Sequence, residues 1–183
     1  MPKSKSDPKK HHRRSIRLPG YDYSQAGAYY VTIVSYQRDC LFGEILNKEM
    51  ISNEFGKIAD ECWHAISGHF TFVELGANVI MPNHVHGIIV IRDDGRGTIY
   101  RAPTVEKFGK PIEGSLPTIV RTYKAAVTRR IGRELNATGI WQRNYFEHII
   151  RDEKDLQNKT DYINANPSLW DEDDNNPRNY PSL

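Results

Sequence analysis

The sequence predicts an α+β domain in which a mostly antiparallel sheet carries helices mainly on one face. Segments with the three- and four-residue spacing of amphipathic helices alternate with runs of β-branched and aromatic residues. Their order is strand, helix, two strands, helix, strand, helix. The 183 residues contain no internal repeat and no sign of a second core, which indicates a single domain.

The first half of the chain opens with a predicted buried strand over residues 28–36, whose sequence is AYYVTIVSY. A short hairpin over residues 43–50 follows. Ser52 is the predicted N-cap of the first helix, and Gly68 is expected to end it. The apolar stripe of this helix comprises Phe55, Ile58, Ala59, Cys62, Trp63 and Ile66.

Two further strands are predicted over residues 72–80 and 84–91, joined by a turn and paired antiparallel. Residues 92–115 lack periodicity and are rich in glycine and proline, which predicts a mobile surface loop. A second helix then begins at Ser115 and Pro117. Its inward stripe comprises Ile119, Val120, Tyr123, Ala126, Val127 and Ile131.

The last two elements are a strand over residues 140–150 and a helix that Asp152 caps. This final helix is expected to run to about Asn166, where Pro167 stops it because proline restricts the residue before it and lacks an amide hydrogen.

Composition excludes several classes of protein. With 38% hydrophobic and 26% charged residues, the chain fits a soluble globular protein. No apolar run approaches the roughly 18 residues that span a bilayer, and no hydrophobic segment follows the N-terminal charges as in a secretory signal. Cys40 and Cys62 are too few for a disulfide scaffold. We therefore expect a cytoplasmic protein with reduced thiols and no membrane partner.

The net charge of +2 is unevenly distributed and suggests three regions. Residues 1–18 form a basic arm, residues 19–170 the folded domain, and residues 171–183 an acidic tail. The arm is suited to phosphate contacts, although a solvated tail that aids solubility fits it equally well. We expect the acidic run to be a solvated turn and not a site.

The residues best suited to chemistry are His84 and His86, at the head of an apolar strand. Side chains two residues apart on a strand point to the same face, about 6 to 7 Å apart along the chain. Two imidazoles so placed can hold one divalent cation. Most histidines bind no metal, so this interpretation depends on what else the chain supplies.

The last helix offers Tyr162 and Asn166, which are four residues apart and share a face. Helix geometry alone favours a tyrosine that packs its ring into the core, beside Leu156 and Ile163. A polar Asn one turn after this tyrosine becomes informative if that face meets the two histidines.

Four motifs occur in order: RSIRLPGYDY at residues 14–23, MPNHVH at 81–86, WQRNYFEHIIR at 141–151 and YINANP at 162–167. Together they resemble the REP-associated tyrosine transposases, which belong to the single-tyrosine HUH transposases. REP denotes a repetitive extragenic palindrome. The resemblance covers about residues 13–170, and the joint occurrence of the four motifs makes it specific.

The resemblance implies a ferredoxin-like fold of the HUH type, in which a sheet displays the histidines beside a helix with the nucleophile. It implies that Tyr162 is the nucleophile and that His84, His86 and Asn166 bind Mg²⁺ or Mn²⁺, ions that accept imidazole nitrogen and amide oxygen. Tyr145 is the competing tyrosine, and its strand-like setting favours a packing role.

The activity implied is cleavage and strand transfer of single-stranded DNA at palindromic hairpins, through a 5′-phosphotyrosine, in a nucleoid-associated monomer or homodimer. The candidate DNA contacts come from the arm and from the outer face of the second helix. They are Arg13, Arg14, Arg17, Arg121, Lys124, Arg129 and Arg130.

Two other functions fit the same residues. One is a domesticated module that binds DNA hairpins without transposition and uses only the basic surfaces. The other is a metal-dependent phosphodiesterase in which water attacks and Tyr162 merely packs. Trapping a covalent intermediate separates the second from a tyrosine transposase.

Overall fold

The computed structural model describes residues 17–18, 20–93 and 112–179. Its elements follow the predicted order. They are β1 (Gly27–Val34), β2 (Gly43–Leu46), β3 (Glu49–Ser52), α1 (Glu54–His64), α2 (Ile66–His69), β4 (Val73–Ile80), β5 (His84–Ile91), α3 (Leu116–Leu135), β6 (Phe146–Ile150) and α4 (Glu153–Ala165). Three 3₁₀ segments, Tyr36–Arg38, Asn166–Glu172 and Pro177–Asn179, complete the set in the described ranges.

The main sheet has four strands in the order β4-β5-β1-β6, and each neighbouring pair is antiparallel. Strands β2 and β3 form a separate hairpin. The predicted α+β class and the mostly antiparallel sheet are therefore confirmed.

Helices α1 and α3 cover one face of this sheet and enclose the main core. Alternate residues of the two central strands point into it, so Val31, Ile33 and Val85 are fully buried. Trp63 of α1 lies directly against Gly87, where an added Cβ would come within 2.1 Å of the indole ring. Glycine at this position lets the largest core side chain approach the backbone of β5.

Helix α4 lies on the opposite face, where it packs across β4 and β5. The intervening residues of the central strands point to this face, among them Tyr30 and Thr32 of β1 and both histidines of β5. The sheet thus separates the core under α1 and α3 from a polar cluster under α4.

The structure moves some predicted boundaries. Asn53, and not Ser52, caps α1 by accepting a hydrogen bond from the Gly56 amide at 3.0 Å. Gly68 falls inside the short helix α2, since α1 already ends at His64. The predicted caps Ser115 and Asp152 do precede α3 and α4.

The strand predicted over residues 140–150 is present only as Phe146–Ile150. Asn144 adopts a left-handed conformation with φ 65°, which interrupts extended pairing. Upstream of it, a single bridge joins Trp141 to Ser35.

Parts of the predicted organisation lie outside the described residues, namely residues 1–16 with Arg13 and Arg14, and most of the 92–115 loop. None of the helices in the described ranges has the length and apolar character needed to cross a bilayer.

Candidate functional site

His84 and His86 share one face of β5, as the strand pattern predicts, and their ring centroids are 4.3 Å apart. Both are buried, with 0% and 2% of their surface exposed. Burial lowers the pKa of His84 to about 3 and places that of His86 well below its ordinary value, with the neighbouring His84 contributing to the second shift. Both rings are therefore neutral at pH 7, the form that binds metals.

The orientation of His84 is set by Asn83. The Asn83 amide nitrogen donates to the backbone carbonyls of Arg38 and Asn175, at 3.0 and 2.7 Å. Carbonyls only accept, so the amide oxygen must face the His84 ring, where it lies 2.9 Å from Nδ1. His84 Nδ1 consequently carries the hydrogen, and the lone pair is on Nε2.

His86 is contacted at Nδ1 by two hydroxyl groups of β1. Tyr30 Oη lies 2.7 Å and Thr32 Oγ1 2.9 Å from Nδ1 of His86. The Tyr30 ring is also stacked on the imidazole, with centroids 5.3 Å apart. These contacts leave Nε2 of His86 for a ligand on the side of the site.

Helix α4 brings the predicted tyrosine and asparagine to the histidines. The Tyr162 ring lies 5.4 Å from the His86 ring and 6.3 Å from that of Tyr30. It is 41% exposed, so it is not the packed core tyrosine that helix geometry alone favours. Partial burial and the charge of Asp173 raise its pKa, which an interaction with Asn166 opposes.

Other predictions about packing had mixed outcomes. Tyr145, the competing tyrosine, is buried in the main core on the far side of the sheet, in agreement with a packing role. Ile163 is fully buried, whereas Leu156, which we expected to face inward, is 36% exposed.

Asp173 corrects the interpretation of the acidic run as a solvated turn. The chain continues beyond α4 as the 3₁₀ segment Asn166–Glu172, with Pro167 tolerated in its first turn. This segment returns Asp173 to the histidines, where it is 6% exposed, with Oδ2 3.9 Å from Nε2 of His84. Its neighbour Asp174 is exposed.

Both carboxylate oxygens of Asp173 are bound. The backbone amide of Asn175 donates to Oδ1 at 2.6 Å, and the side-chain amide of Asn166 donates to Oδ2 at 2.9 Å. Because the nitrogen of Asn166 faces Asp173, its carbonyl oxygen is free to face elsewhere in the site.

Among the buried side-chain atoms of the described residues that have no hydrogen-bond partner, three lie together in this site: Nε2 of His84, Nε2 of His86 and Oδ1 of Asn166. A buried polar atom without a partner is costly, and three in one place indicate a missing ligand. Ligand atoms of His84, His86 and Asp173 lie within 4.8 Å of one another. Two nitrogens, an amide oxygen and a nearby carboxylate fit a divalent cation such as Mg²⁺ or Mn²⁺.

The candidate DNA-binding residues of α3 are not brought to this site, since α3 packs on the other face of the sheet. Arg121 and Arg129 are exposed, whereas Arg130 pairs with Glu61 and Glu134 at 2.7 and 3.1 Å. Lys124 donates to the backbone carbonyls of Gln142 and Asn144 at 2.6 and 2.9 Å.

Arg17, the candidate of the arm that the structure describes, lies over the Tyr145 ring at 5.4 Å from its centroid. The DNA role of all these cations stays a prediction.

The sequence patterns did not identify four members of the site, namely Asn83, Tyr30, Thr32 and Asp173. Asn83 stands inside the histidine motif, and Tyr30 and Thr32 are polar groups at alternate positions of an apolar strand. These features of the sequence could have identified Asn83, Tyr30 and Thr32 as candidates. Nothing in the acidic run distinguishes Asp173 from the acidic residues beside it.

Comparisons with known proteins found relatives of this chain. A protein of Haemophilus influenzae named for the REP-associated tyrosine transposases is 31% identical over 147 residues, covering 80% of this chain and 73% of its own length. A second, uncharacterised H. influenzae protein is 42% identical over 166 residues, covering 89% and 92%. No family model matches the chain.

A solved structure of a REP-associated tyrosine transposase bound to a REP hairpin superposes with a TM-score of 0.54 at 19% identity. The match covers 87% of this chain and 73% of that one. At this identity the likeness supports the fold alone.

Proposed function

The chain belongs to the REP-associated tyrosine transposases, and from this premise we propose that it cleaves and rejoins single-stranded DNA at palindromic hairpins, with Tyr162 as nucleophile. The observation that carries the proposal is the position of Tyr162, half-exposed and 5.4 Å from His86, beside three buried ligand atoms that lack partners.

Tyr162 suits this role better than the other tyrosines near the histidines. Tyr30 also contacts His86, but its hydroxyl is bound to the imidazole and burial raises its pKa. Tyr145 is in the core on the opposite face. Tyr162 combines a position beside His86 with access from solvent.

In the proposed reaction the phenolic oxygen attacks the scissile phosphorus. The bond from phosphorus to the 3′ oxygen breaks, the tyrosine proton is released, and the departing 3′ oxygen takes up a proton. The products are a 5′-phosphotyrosine and a free 3′-hydroxyl. Attack by a 3′-hydroxyl on the phosphotyrosine reverses the step, so rejoining needs no ATP.

The residues proposed to hold the metal are His84, His86 and Asn166, with Asp173 in reach. A Mg²⁺ or Mn²⁺ ion bound there would supply a Lewis acid for the scissile phosphate. The protein provides neutral imidazoles fixed by Asn83, Tyr30 and Thr32, and an asparagine oriented by Asp173. It also places Tyr162 one helical turn before Asn166, so the nucleophile and a ligand share a rigid face.

The proposed partner is hairpin DNA, as in the solved relative, which is bound to a REP hairpin. The basic residues offered to its phosphates are those predicted from sequence: Arg13, Arg14, Arg17, Arg121, Lys124, Arg129 and Arg130. Those on α3 lie across the sheet from Tyr162, so they would contact a part of the DNA remote from the cleaved bond. A monomer and a homodimer are both compatible with this arrangement.

The test uses single-stranded hairpins from repeats that flank the gene, incubated with Mg²⁺ or Mn²⁺ and resolved on a denaturing gel. We expect a metal-dependent protein–DNA adduct that is absent from Tyr162→Phe and His84→Ala. Tyr36→Phe is the matched control, because Tyr36 is an exposed tyrosine outside the site.

The alternatives give different results in the same test. Hairpin binding without cleavage or adduct would favour a domesticated binding module. Cleavage that survives Tyr162→Phe would identify water as the nucleophile and make the protein a phosphodiesterase.

A further inference from the structure

A second aromatic side chain stands on the same face of the sheet as the histidines. Phe146 begins β6 and pairs with Thr32 of β1, which in turn pairs with His86 of β5. Residues directly opposite in antiparallel strands point to the same side. Phe146 therefore lies in one row across the sheet with a metal-binding histidine.

The described residues leave Phe146 largely uncovered. Helix α4 packs across β4 and β5, and β6 is the far edge of the sheet. The phenyl side chain is 54% exposed, while alternate residues of β6 face the core, where Glu147 accepts a hydrogen bond from Tyr23 at 2.8 Å. A large apolar ring is thus presented to solvent beside the site.

A cation lies next to this row. The Lys159 ammonium is 5.2 Å from the centroid of the Tyr30 ring, and Tyr30 is two residues from Thr32 on β1. Lys159 is also one turn before Tyr162 on α4. The nearby carboxylate of Asp155 is bound to His148 at 2.7 Å.

We propose that Phe146 and Lys159 form a nucleotide subsite beside Tyr162, in which a base of single-stranded DNA stacks on Phe146 and a phosphate pairs with Lys159. The aromatic ring and the cation have the chemistry that single-stranded nucleic acid requires. This inference deepens the proposed function by naming where the strand lies as it approaches the nucleophile.

The test measures binding in EDTA, so that no cleavage occurs, by fluorescence anisotropy. The two probes are an oligothymidylate of about twelve nucleotides and an abasic oligodeoxyribonucleotide of the same length. The wild-type protein should prefer the probe with bases. Phe146→Ala should abolish that preference, about a tenfold loss, and Phe146→Trp should retain it.

Lys159→Met should weaken binding of both probes alike and reduce the salt dependence of binding by about 0.7 in the logarithmic slope. The matched controls are Leu46→Ala, an exposed apolar side chain on the β2–β3 hairpin, and Lys154→Met, an exposed lysine on α4. Both should bind like the wild type.

The subsite proposal is overturned if the wild-type protein binds both probes equally, or if Phe146→Ala keeps the preference for bases. Phe146→Trp keeps an aromatic ring. Loss of the preference for bases in both Phe146→Trp and Phe146→Ala would therefore also contradict stacking. These binding measurements need neither metal nor Tyr162. If no adduct forms but the preference for bases is intact, the cleavage proposal is rejected and the subsite proposal is not.

Discussion

Asn166 and Asp173 are joined by a hydrogen bond of 2.9 Å whose direction is fixed, because a carboxylate can only accept. The amide nitrogen of Asn166 must therefore face Asp173, and its oxygen is left for the metal that we propose. Asp173, which belongs to the acidic run near the end of the chain, thus determines that Asn166 presents its amide oxygen to the site.

Replacing Asp173 should accordingly weaken metal binding. Asp173→Ala removes the acceptor that orients Asn166 and takes a carboxylate from the reach of the ion. We expect a 10- to 100-fold loss of Mn²⁺ affinity, of the order found for partners that orient metal ligands, measured by isothermal titration calorimetry. Asp174→Ala is the control, since Asp174 is exposed. Equal affinities in the two variants would refute this role.

Asn83 should act in the same way on His84. In Asn83→Ala the Nδ1 hydrogen loses its acceptor, and the ring is no longer held in the tautomer that exposes Nε2. Mn²⁺ affinity should fall by about 10- to 100-fold, whereas Asn164→Ala, on an exposed position of α4, should leave it unchanged. Nitrogen NMR of the labelled imidazoles would show directly whether the His84 tautomer is lost.

Tyr30 and Thr32 should behave as a pair. If Nε2 of His86 binds the metal, the single hydrogen of the neutral ring is on Nδ1, and either hydroxyl can accept it. Tyr30→Phe or Thr32→Val alone should therefore reduce Mn²⁺ affinity only slightly. The double variant leaves the hydrogen without an acceptor and should cost more than the sum of the two. Strict additivity in this double-mutant cycle would mean that the two contacts are independent.

Lys124 gives the stability a pH dependence with a definite sign. Burial lowers its pKa from 10.5 to about 8 in the folded protein. Between pH 8 and 10.5 the Lys124 side chain holds a proton in the unfolded chain that it has lost in the folded chain, so its contribution to the free energy of unfolding should rise with pH across this window. Below pH 8 the whole penalty of the buried charge is present. In urea denaturation at several pH values, the free energy of unfolding of wild type minus that of Lys124→Met should rise across this window, because buried tyrosines and thiols with raised pKa act alike in both proteins.

The parts of the site that follow local periodicity could be predicted from the sequence. The two-residue spacing of strands places His84 and His86 on one face, and the four-residue spacing of α4 places Tyr162 beside Asn166. The other members depend on contacts distant in sequence. Tyr30 and Thr32 contact His86 because β1 pairs with β5. Asp173 is held beside the histidines by a neighbouring contact, in which Asn83 binds the carbonyl of Asn175. No local pattern encodes either contact.

Gly87 shows how the core restricts the strand that displays the histidines. Its Cα faces Trp63, and a methyl group there would overlap the indole at 2.1 Å. Trp63 is fully buried, so the ring cannot move aside without displacing α1. Gly87→Ala should lower the free energy of unfolding by about 1–3 kcal/mol, the usual cost of overpacking a core, as measured by chemical denaturation.

Gly68→Ala is the control, since a Cβ there meets nothing within 4 Å and alanine favours the helix. Because β5 carries both histidines proposed as ligands, Gly87→Ala should also weaken Mn²⁺ binding. A destabilised variant with unchanged metal affinity would mean that the site tolerates displacement of its own strand.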